Sequence, residues 1–506
     1  MTLKTDGFFV LPGAFDDDVF AQVLTDWTVR FGTATASKSF ILLDCHDQSL
    51  RVSGQMLIET DGTLQLLQGN GESWVQNSTA KGRFVQELLC GSVREALQGF
   101  PELRALTGIG AGRVENRSLT ILDDQQKTQV RGDLMALSCK TGRATIIRVQ
   151  RLRGYDRAFV AVCSALTEMG GNADGVEAVF QALFPGMVPY QAKPEVRLGQ
   201  TEPSVQVATD IIRTYLTVAR RNEDGVIADV DTEFLHDYRV SLRRVRSVLD
   251  LFKGVFSERQ SAELKQVFSD LMAPTGRVRD LDVYLLEKDI YFNLIPSKLH
   301  VGLDVMFEQF EKQRAQELSR LSRRFRSAAY DRSMNTLIEL FSVTDRLEPG
   351  PNATRGANEY ACALIWKRYR KVCKLARSIN EETPDKAVHD LRIDCKKLRY
   401  LMEFFAPLFA RKRFKLILKP LKKLQDSLGL FNDYSIQQEA LLDFVSQQSN
   451  AQGQVQAQLG MAVGGLIAVL DQRQRAERDR VIASFQQFDG PDTRHLFRSL
   501  FHHKKE

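Results

Sequence analysis

The sequence predicts an α+β, multidomain protein, a mostly antiparallel β domain followed by an all-α region. Three observations predict it. Short segments alternate apolar and polar residues over the first 190 positions. From Ser204 onward apolar residues recur at helical spacing almost throughout. Finally, one helical stretch is written twice, since His236-Asp-Tyr-Arg239-Val-Ser-Leu-Arg243-Arg244-Val-Arg246 returns as His389-Asp-Leu-Arg392-Ile-Asp-Cys-Lys396-Lys397-Leu-Arg399, at an offset of 153 residues. The same offset carries Phe252 onto Phe405, Phe256 onto Phe409, Leu271 onto Leu424, Gly276 onto Gly429 and Asp280 onto Asp433 without a gap, which marks an internal repeat.

In chain order, Ser39-Phe-Ile-Leu-Leu, Gln55-Met-Leu-Ile-Glu and Thr63-Leu-Gln-Leu-Leu read as strands, the last two joined by the hairpin turn Asp61-Gly62. Ser118 to Leu122, Gln129 to Leu137 and Ala144 to Gln150 follow, with a turn at Thr141-Gly142, while Phe84 to Gln98 and Val176 to Phe184 read as helices. The proline-bearing stretch Pro185 to Pro203 ends this part. Helix breaks are expected at Asn222 to Asp231, Pro274 to Gly276, Pro296, Glu348 to Gly356 and Asn380 to Pro384, with Thr383 as N-cap and Pro384 as first helical residue. The resulting division is 1–190 β domain, 191–203 linker, 204–347 first repeat, 348–358 inter-repeat linker, and 359–506 second repeat with a C-terminal helix.

Helix geometry turns the repeated motif into a line of charge. At about 100° and 1.5 Å per residue, His236, Arg239, Arg243 and Arg246 fall within an arc of roughly 80° and span about 15 Å. Leu235, Tyr238, Leu242, Val245 and Leu249 form the adjoining apolar stripe. In the second repeat His389, Arg392, Lys396 and Arg399 make the line, and Val388, Leu391, Cys395, Leu398 and Met402 the stripe. Water would accept almost any polar residue, so a solvated face gives no reason to reproduce a histidine and three cations at fixed positions. Nor does a Glu or Asp follow at i+4 after His236, Arg239, Arg243, His389, Arg392 or Lys396. Arg and Lys at this density suit an extended polyanion, Arg by bidentate contacts and Lys as a point charge.

Charge is distributed accordingly: −2 over residues 1–200 and +8 over 201–506, giving the chain's +6. The seven cysteines (Cys45, Cys90, Cys139, Cys163, Cys362, Cys373, Cys395) make no C-x-x-C pair, which argues against a zinc site or disulfide framework and for reduced thiols in the cytoplasm. The N-terminus lacks the layout of a secretion signal. The longest apolar run, Gly460 to Leu470, is about half of what a bilayer needs and reads as a buried helix.

The paired helices, the Arg277-Val-Arg-Asp280-Leu-Asp282-Val segment and Leu424-Gln-Asp-Ser-Leu-Gly429 resemble the CHAD family, the conserved-histidine α-helical domain, over about residues 204–506. The resemblance implies two four-helix bundles related by a pseudo-two-fold, whose basic residues converge on a groove for inorganic polyphosphate. More faintly, the first 200 residues resemble the CYTH or triphosphate-tunnel fold, a barrel-like domain that hydrolyses triphosphate with metal. That family opens with an E-x-E-x-K strand. This chain opens with Lys4-Thr-Asp6-Gly-Phe-Phe-Val-Leu-Pro and carries Arg148-Val-Gln150-Arg-Leu-Arg153 where the family has late acidic residues, so the resemblance implies a degenerate, non-catalytic member without metal ligands.

The functional expectation is a cytoplasmic protein that binds inorganic polyphosphate through His236, Arg239, Arg243, Arg246, His389, Arg392, Lys396 and Arg399, and that targets or organises polyphosphate granules. Secondary candidates are Arg244, Lys397, Lys415, Lys419 and Lys422. Asp237 and Asp390 share a face with Arg244 and Lys397, which suits inter-helix ion pairing. Gly276 and Gly429 read as turn glycines, and Asp280 and Asp433 as caps or arginine partners. Arg113, Arg117 and Arg131 read as surface charge, with remnants of tunnel cations as the alternative, the cluster Arg320, Arg323, Arg324, Arg326 as surface charge, with a flank of the site as the alternative, and His495, His502 and His503 as part of a basic terminus. No catalytic residue, metal, cofactor or membrane contact is expected. His389 and Asp390 point about 100° apart and make no relay. The histidines are expected to take up protons on binding, so that affinity rises from about pH 8 to about pH 6. Two other classes stay open: a CYTH-type inorganic triphosphatase with an accessory polyphosphate-binding domain, and a nucleic-acid backbone binder, for which stacking aromatics are missing among the basic residues.

Overall fold

The computed structural model describes residues 6–78, 83–172, 175–380, 383–447 and 454–502. The expected opening from Lys4, residues 381–382 of the Asn380 to Pro384 break, and the tail from His503 lie outside the described residues. Contacts group the chain into two units, Met1–Ala192 and Lys193–Glu506.

The first unit holds strands β1 (Asp6–Pro12), β2 (Thr28–Phe31), β3 (Lys38–Asp44), β4 (Gln55–Thr60), β5 (Thr63–Gln68), β6 (Ser73–Asn77), β7 (Thr107–Leu122), β8 (Thr128–Ser138) and β9 (Arg143–Arg151). Its helices are α1 (Asp17–Val23), α2 (Ser49–Val52), α3 (Ser92–Ala96), α4 (Asp156–Glu168) and α5 (Val176–Leu183). All ladders are antiparallel, in the order β1-β9-β8-β7-β3-β4-β5-β6, with β2 on β7. Strand alternation divides the core: Phe8 and Val10 pack with α5, while Phe9 and Leu11 pack with α1 and α4. Asp61 and Gly62 close the β4–β5 hairpin with φ of 48° and 74°, the left-handed pair that a two-residue turn requires.

The expected helix from Phe84 to Gln98 is not one helix. A single 3₁₀ turn, Val85–Glu87, gives way to extended backbone at Leu88, and α3 starts after Gly91, where Gln76 Oε1 accepts the N–H groups of Val93 and Arg94 at 3.0 and 3.1 Å. Nor, among the described residues, is the barrel closed by hydrogen bonds, because the strand path ends at β1 and β6. The sheet nevertheless curls until its ends approach. A Cβ on Gly71, just after β5, would lie 3.6 Å from Phe8 Cβ on β1. Gln65 of β5 therefore lines the same cavity, of about 380 Å³, as Asn116 of β7, Asp133 of β8 and Arg148 of β9.

The second unit contains α6 (Ser204–Ile227), α7 (Thr232–Leu251), α8 (Glu258–Met272), α9 (Gly276–Leu286), α10 (Lys288–Leu294), α11 (His300–Phe325), α12 (Ala328–Ser342), α13 (Ala357–Ala376), α14 (Asp385–Phe405), α15 (Arg411–Gln447), α16 (Gln454–Phe488) and α17 (Pro491–Phe501). The offset of 153 superimposes α6 on α13, α7 on α14, α8 plus α9 on α15, and α11 on the first two-thirds of α16. Four helical rods per repeat are thus present, though breaks cut them into more than four helices. In the first repeat Pro274 helps form a 3₁₀ turn between α8 and α9. At the matching position of α15 there is no proline, and the helix runs through Gly429; it tolerates Pro420 nearer its start. Neither Gly276 nor Gly429 has a positive φ, and Gly429 lies inside a helix, so the turn-glycine expectation fails there.

Two further boundaries differ from expectation. α6 runs through Asn222 to Ile227, because Asn222 and Glu223 are buried and bonded, to Val218 O and to Arg220 and Tyr330. Only Ala228 to Asp231 separate it from α7, with Asp231 as N-cap. Thr383 does not cap α14: its hydroxyl accepts from Asn380 N at 2.9 Å, and Pro384 occupies the cap position. Of the Gly460 to Leu470 run, Ala462, Val463, Leu466 and Leu470 are buried within α16, and among the described residues no helix is long and apolar enough to cross a membrane.

Candidate functional site

The two repeats meet across α7 and α14, and equivalent residues meet one another. Phe252 stacks on Phe405, its counterpart, at 4.9 Å with an interplanar angle of 7°. Arg244 Nη2 donates to Glu403 Oε2 at 2.6 Å, and Lys397 pairs with Asp250 at 2.8 Å. Lys397 is the counterpart of Arg244 and Glu403 that of Asp250, so one ion pair is built twice, each time across the boundary. This is the self-complementary pattern of a two-fold interface. Arg244 and Lys397, expected as secondary ligands, therefore serve the packing between repeats. Arg244 is buried, donates also to Tyr215 at 3.0 Å and lies 5.1 Å from that ring's centre. A second contact joins the repeats where Leu281, Tyr284, Phe307 and Phe310 pack with Leu441, Phe444, Leu459 and Leu466.

The two basic lines face the helices that follow them. Arg239 Nη1 donates to Thr275 Oγ1 at 2.5 Å, at the α8–α9 break. His389 Nδ1 donates to Asn432 Oδ1, and Arg392 approaches Asp433 at 3.7 Å. Further along, Arg246 and Arg399 repeat each other's placement: Arg246 reaches Met272 Sδ at 3.8 Å, and Arg399 Nη1 donates to Gln425 Oε1 at 2.9 Å, Gln425 being the counterpart of Met272. Arg399 also lies 3.0 Å from Glu403.

Arg243 of the first line and Lys396 of the second stand together. Burial, and then the charges of Arg243, Arg392 and Arg399, push the Lys396 ammonium down to about 8, with Asp433 opposing them least. Burial likewise lowers Arg239, opposed by Asp280 and reinforced by Arg243 and Arg279. Among the described residues neither Arg243 nor Lys396 forms an ion pair, and Arg243 Nε is buried without a hydrogen-bond partner, as is Arg279 Nη1. One side of α7 and α14 is thus neutralised, while on the next Arg392 and Arg399 have acidic partners and Arg243 and Lys396 form no ion pair.

The structure brings Arg239, Arg243, Lys396, Arg392 and Arg399 into one electrostatic cluster. Arg246 and His389 are exposed at its margins, and His236 is half-buried at the head of its line. Lys415, Lys419 and Lys422 are exposed on α15. Arg320, Arg323 and Arg324 are exposed and contact Glu317, Ser319 O and Asp270 O. Arg279, Asp250 and Glu403 escaped the sequence reading. The signal for the last two was available, because the same offset relates an acid to an acid six residues after Arg244 and Lys397.

In the β unit, Arg117 is held by Asp17 and sits 4.7 Å from the Phe31 ring centre, and Arg113 donates to Ser37. Arg131 and Arg148 line a second cavity of about 360 Å³ next to the first. Asp133 borders both and pairs with Arg148 at 3.8 Å. Among the described residues no three His, Cys, Asp or Glu side chains are grouped to hold a metal ion.

The CHAD domain family matches residues 210–442. Among solved structures, the CHAD domain from the plant Ricinus communis is 26% identical and similar over 60% of this chain and 97% of its own, with a TM-score of 0.50. PptA from Streptomyces chartreusis is 17% identical over 56% of this chain and 100% of its own, with a TM-score of 0.40. A candidate adenylate cyclase from Bacillus halodurans is 13% identical over 34% of this chain and 94% of its own, with a TM-score of 0.21. No curated protein matches the sequence. Residues 210–442, which carry the doubled His-x-x-Arg helices packed repeat on repeat, match the CHAD domain family.

Proposed function

We propose that the helical unit binds inorganic polyphosphate along α7 and α14, with Arg243 and Lys396 at the centre of the site, and that the chain associates with polyphosphate granules in the cytoplasm. The observation that carries this reading is the cation cluster that depresses Lys396 while its neighbours Arg244 and Lys397 are neutralised. Arg243 and Lys396 are crowded by other cations and, among the described residues, form no ion pair of their own, a repulsion that costs stability and that a bound polyanion relieves. The deciding experiment is a titration of the full chain with polyphosphates of increasing length, competed by single-stranded nucleic acid. Tight binding that nucleic acid displaces at equal phosphate concentration would favour a general backbone binder instead.

The sign of the pH dependence follows from Lys396. In the free protein it loses its proton near pH 8, whereas a bound polyanion favours the charged form, so binding takes up a proton there. Affinity is expected to fall about tenfold or less between pH 7 and 9.5, by calorimetry or anisotropy, and Lys396→Arg, charged throughout, is expected to flatten the profile. An unchanged profile in that variant would point to the histidines, and an affinity change confined to pH 6–8 would do the same.

For the β unit we propose a non-catalytic descendant of the triphosphate-tunnel fold. The carboxylate at its cavities, Asp133, is paired with Arg148 rather than grouped with other acids. The full chain with tripolyphosphate and Mg²⁺ or Mn²⁺ is expected to release no phosphate above background. Metal-dependent release abolished by Asp133→Asn would establish the enzyme reading.

A further inference from the structure

We infer that the polyanion site is one-sided: it continues from Arg399 along the exposed cations of α15, through Lys422, Lys419 and Lys415 to Arg411, and α8, the matching helix of the first repeat, carries no such track. The inference rests on the polyphosphate reading and adds to it a dependence on ligand length.

The first ground is continuity. Arg399 donates to Gln425, and Lys422 lies one turn nearer the start of α15. Arg411 and Lys415 border a cavity of about 530 Å³ whose wall includes Arg244 and Glu403, the acid that also meets Arg399. From Gln425 to Arg411 the helix rises about 21 Å, longer than the stripe of either motif helix.

The second ground is an internal control. Between Arg411 and Lys423 the helix carries seven cations and no acid. Those cations are exposed and form no ion pair among the described residues; Arg413 and Lys423 donate to Ser499 and Gln487, both uncharged. In the first repeat the positions matching Arg411, Lys415, Lys419 and Lys422 hold Glu258, Ala262, Gln266 and Ser269. The cations that α8 does have are paired, Arg259 with Glu263 and Glu348, and Lys265 with Asp250. The same place in the fold is therefore neutralised in one repeat and bare in the other.

The third ground is that these residues do not serve the helix that bears them. Arg411, Lys412 and Arg413 occupy the first turn of α15, where the helix dipole favours acids, and no acid is there. Exposed lysines at three- and four-residue intervals, with Phe414 buried rather than offered for stacking, suit a flexible chain of phosphates read as point charges.

The test uses the full chain and Lys415→Gln/Lys419→Gln/Lys422→Gln, with affinities measured for the shortest oligophosphate that the wild type binds and for long-chain polyphosphate. Long-chain affinity is expected to fall at least tenfold and its logarithmic salt slope by about two to three, with short-chain affinity unchanged. Arg259→Gln/Lys265→Gln is expected to change neither. Unaltered long-chain binding in the triple variant would overturn the inference, and so would an equal loss for short and long chains, which would place the lysines at the central site. Failure of the wild type to bind any polyphosphate would sink the functional reading itself, a distinct outcome.

Discussion

Replacing Arg243 and Lys396 together by Met is expected to lower the affinity for long polyphosphate by about two orders of magnitude while leaving the melting temperature unchanged or higher. Two charge-assisted contacts at about 1.5–3 kcal/mol each set the scale, since about 1.4 kcal/mol is a factor of ten. Stability moves the other way because the substitution keeps the apolar stems and removes a repulsive cluster that holds Lys396 near 8 and strands Arg243 Nε. Functional sites commonly carry such a cost. Arg323→Ala/Arg324→Ala removes as much charge from an exposed surface and is expected to change affinity by less than about threefold. Equal losses in the two double variants would mean that net charge, not a defined site, holds the ligand. Arg239 and Arg392 are poorer choices than the motif alone suggests, because Thr275 and Asp433 already engage them.

Glu403→Ala is expected to destabilise the helical unit by about 3–5 kcal/mol, the usual cost of leaving a buried charge without its partner, whereas the symmetry-related Asp250→Ala is expected to cost no more than about 1 kcal/mol. The reason is burial. The Arg244 side chain is 8% exposed and that of Lys397 35%. At about 2–4 °C per kcal/mol for a unit of this size, calorimetry should separate the two variants easily. Matching losses would show that the two pairs contribute alike and that exposure does not decide their worth.

Much of this was legible in the residues because a repeat turns one sequence into two readings of the same structure. The offset located both motif helices, the apolar stripes beside them and the paired phenylalanines. Helix geometry set Arg244 and Lys397 on an ion-pairing face, about 100° of rotation from Arg243 and Lys396, but pointed to Asp237 and Asp390 there and not to Glu403 and Asp250, the partners that come from across the repeat boundary. Nor did the strand pattern reveal that the β-sheet stays open while its ends approach, since the Gly71 and Phe8 proximity joins segments far apart in the chain. The Phe84 to Gln98 misreading has a similar origin, a cap supplied from β6 by Gln76.

The stacking of Phe252 on its own counterpart, Phe405, has a consequence for how the unit is assembled. Two like modules joined by a pinned tether, with Gly350 N donating to Val255 O and Val205 N to Ala353 O, associate as though each were held at millimolar concentration. Their contact can therefore be weak per module and still complete. Covalent joining also frees each module from the obligation to be identical. In an obligate homodimer any change appears on both sides of the axis; here one arm of the contact has a buried arginine and the other an accessible lysine, and a single module carries the unneutralised lysine track. Fusion thus supplies direction to an architecture whose geometry, taken alone, has none.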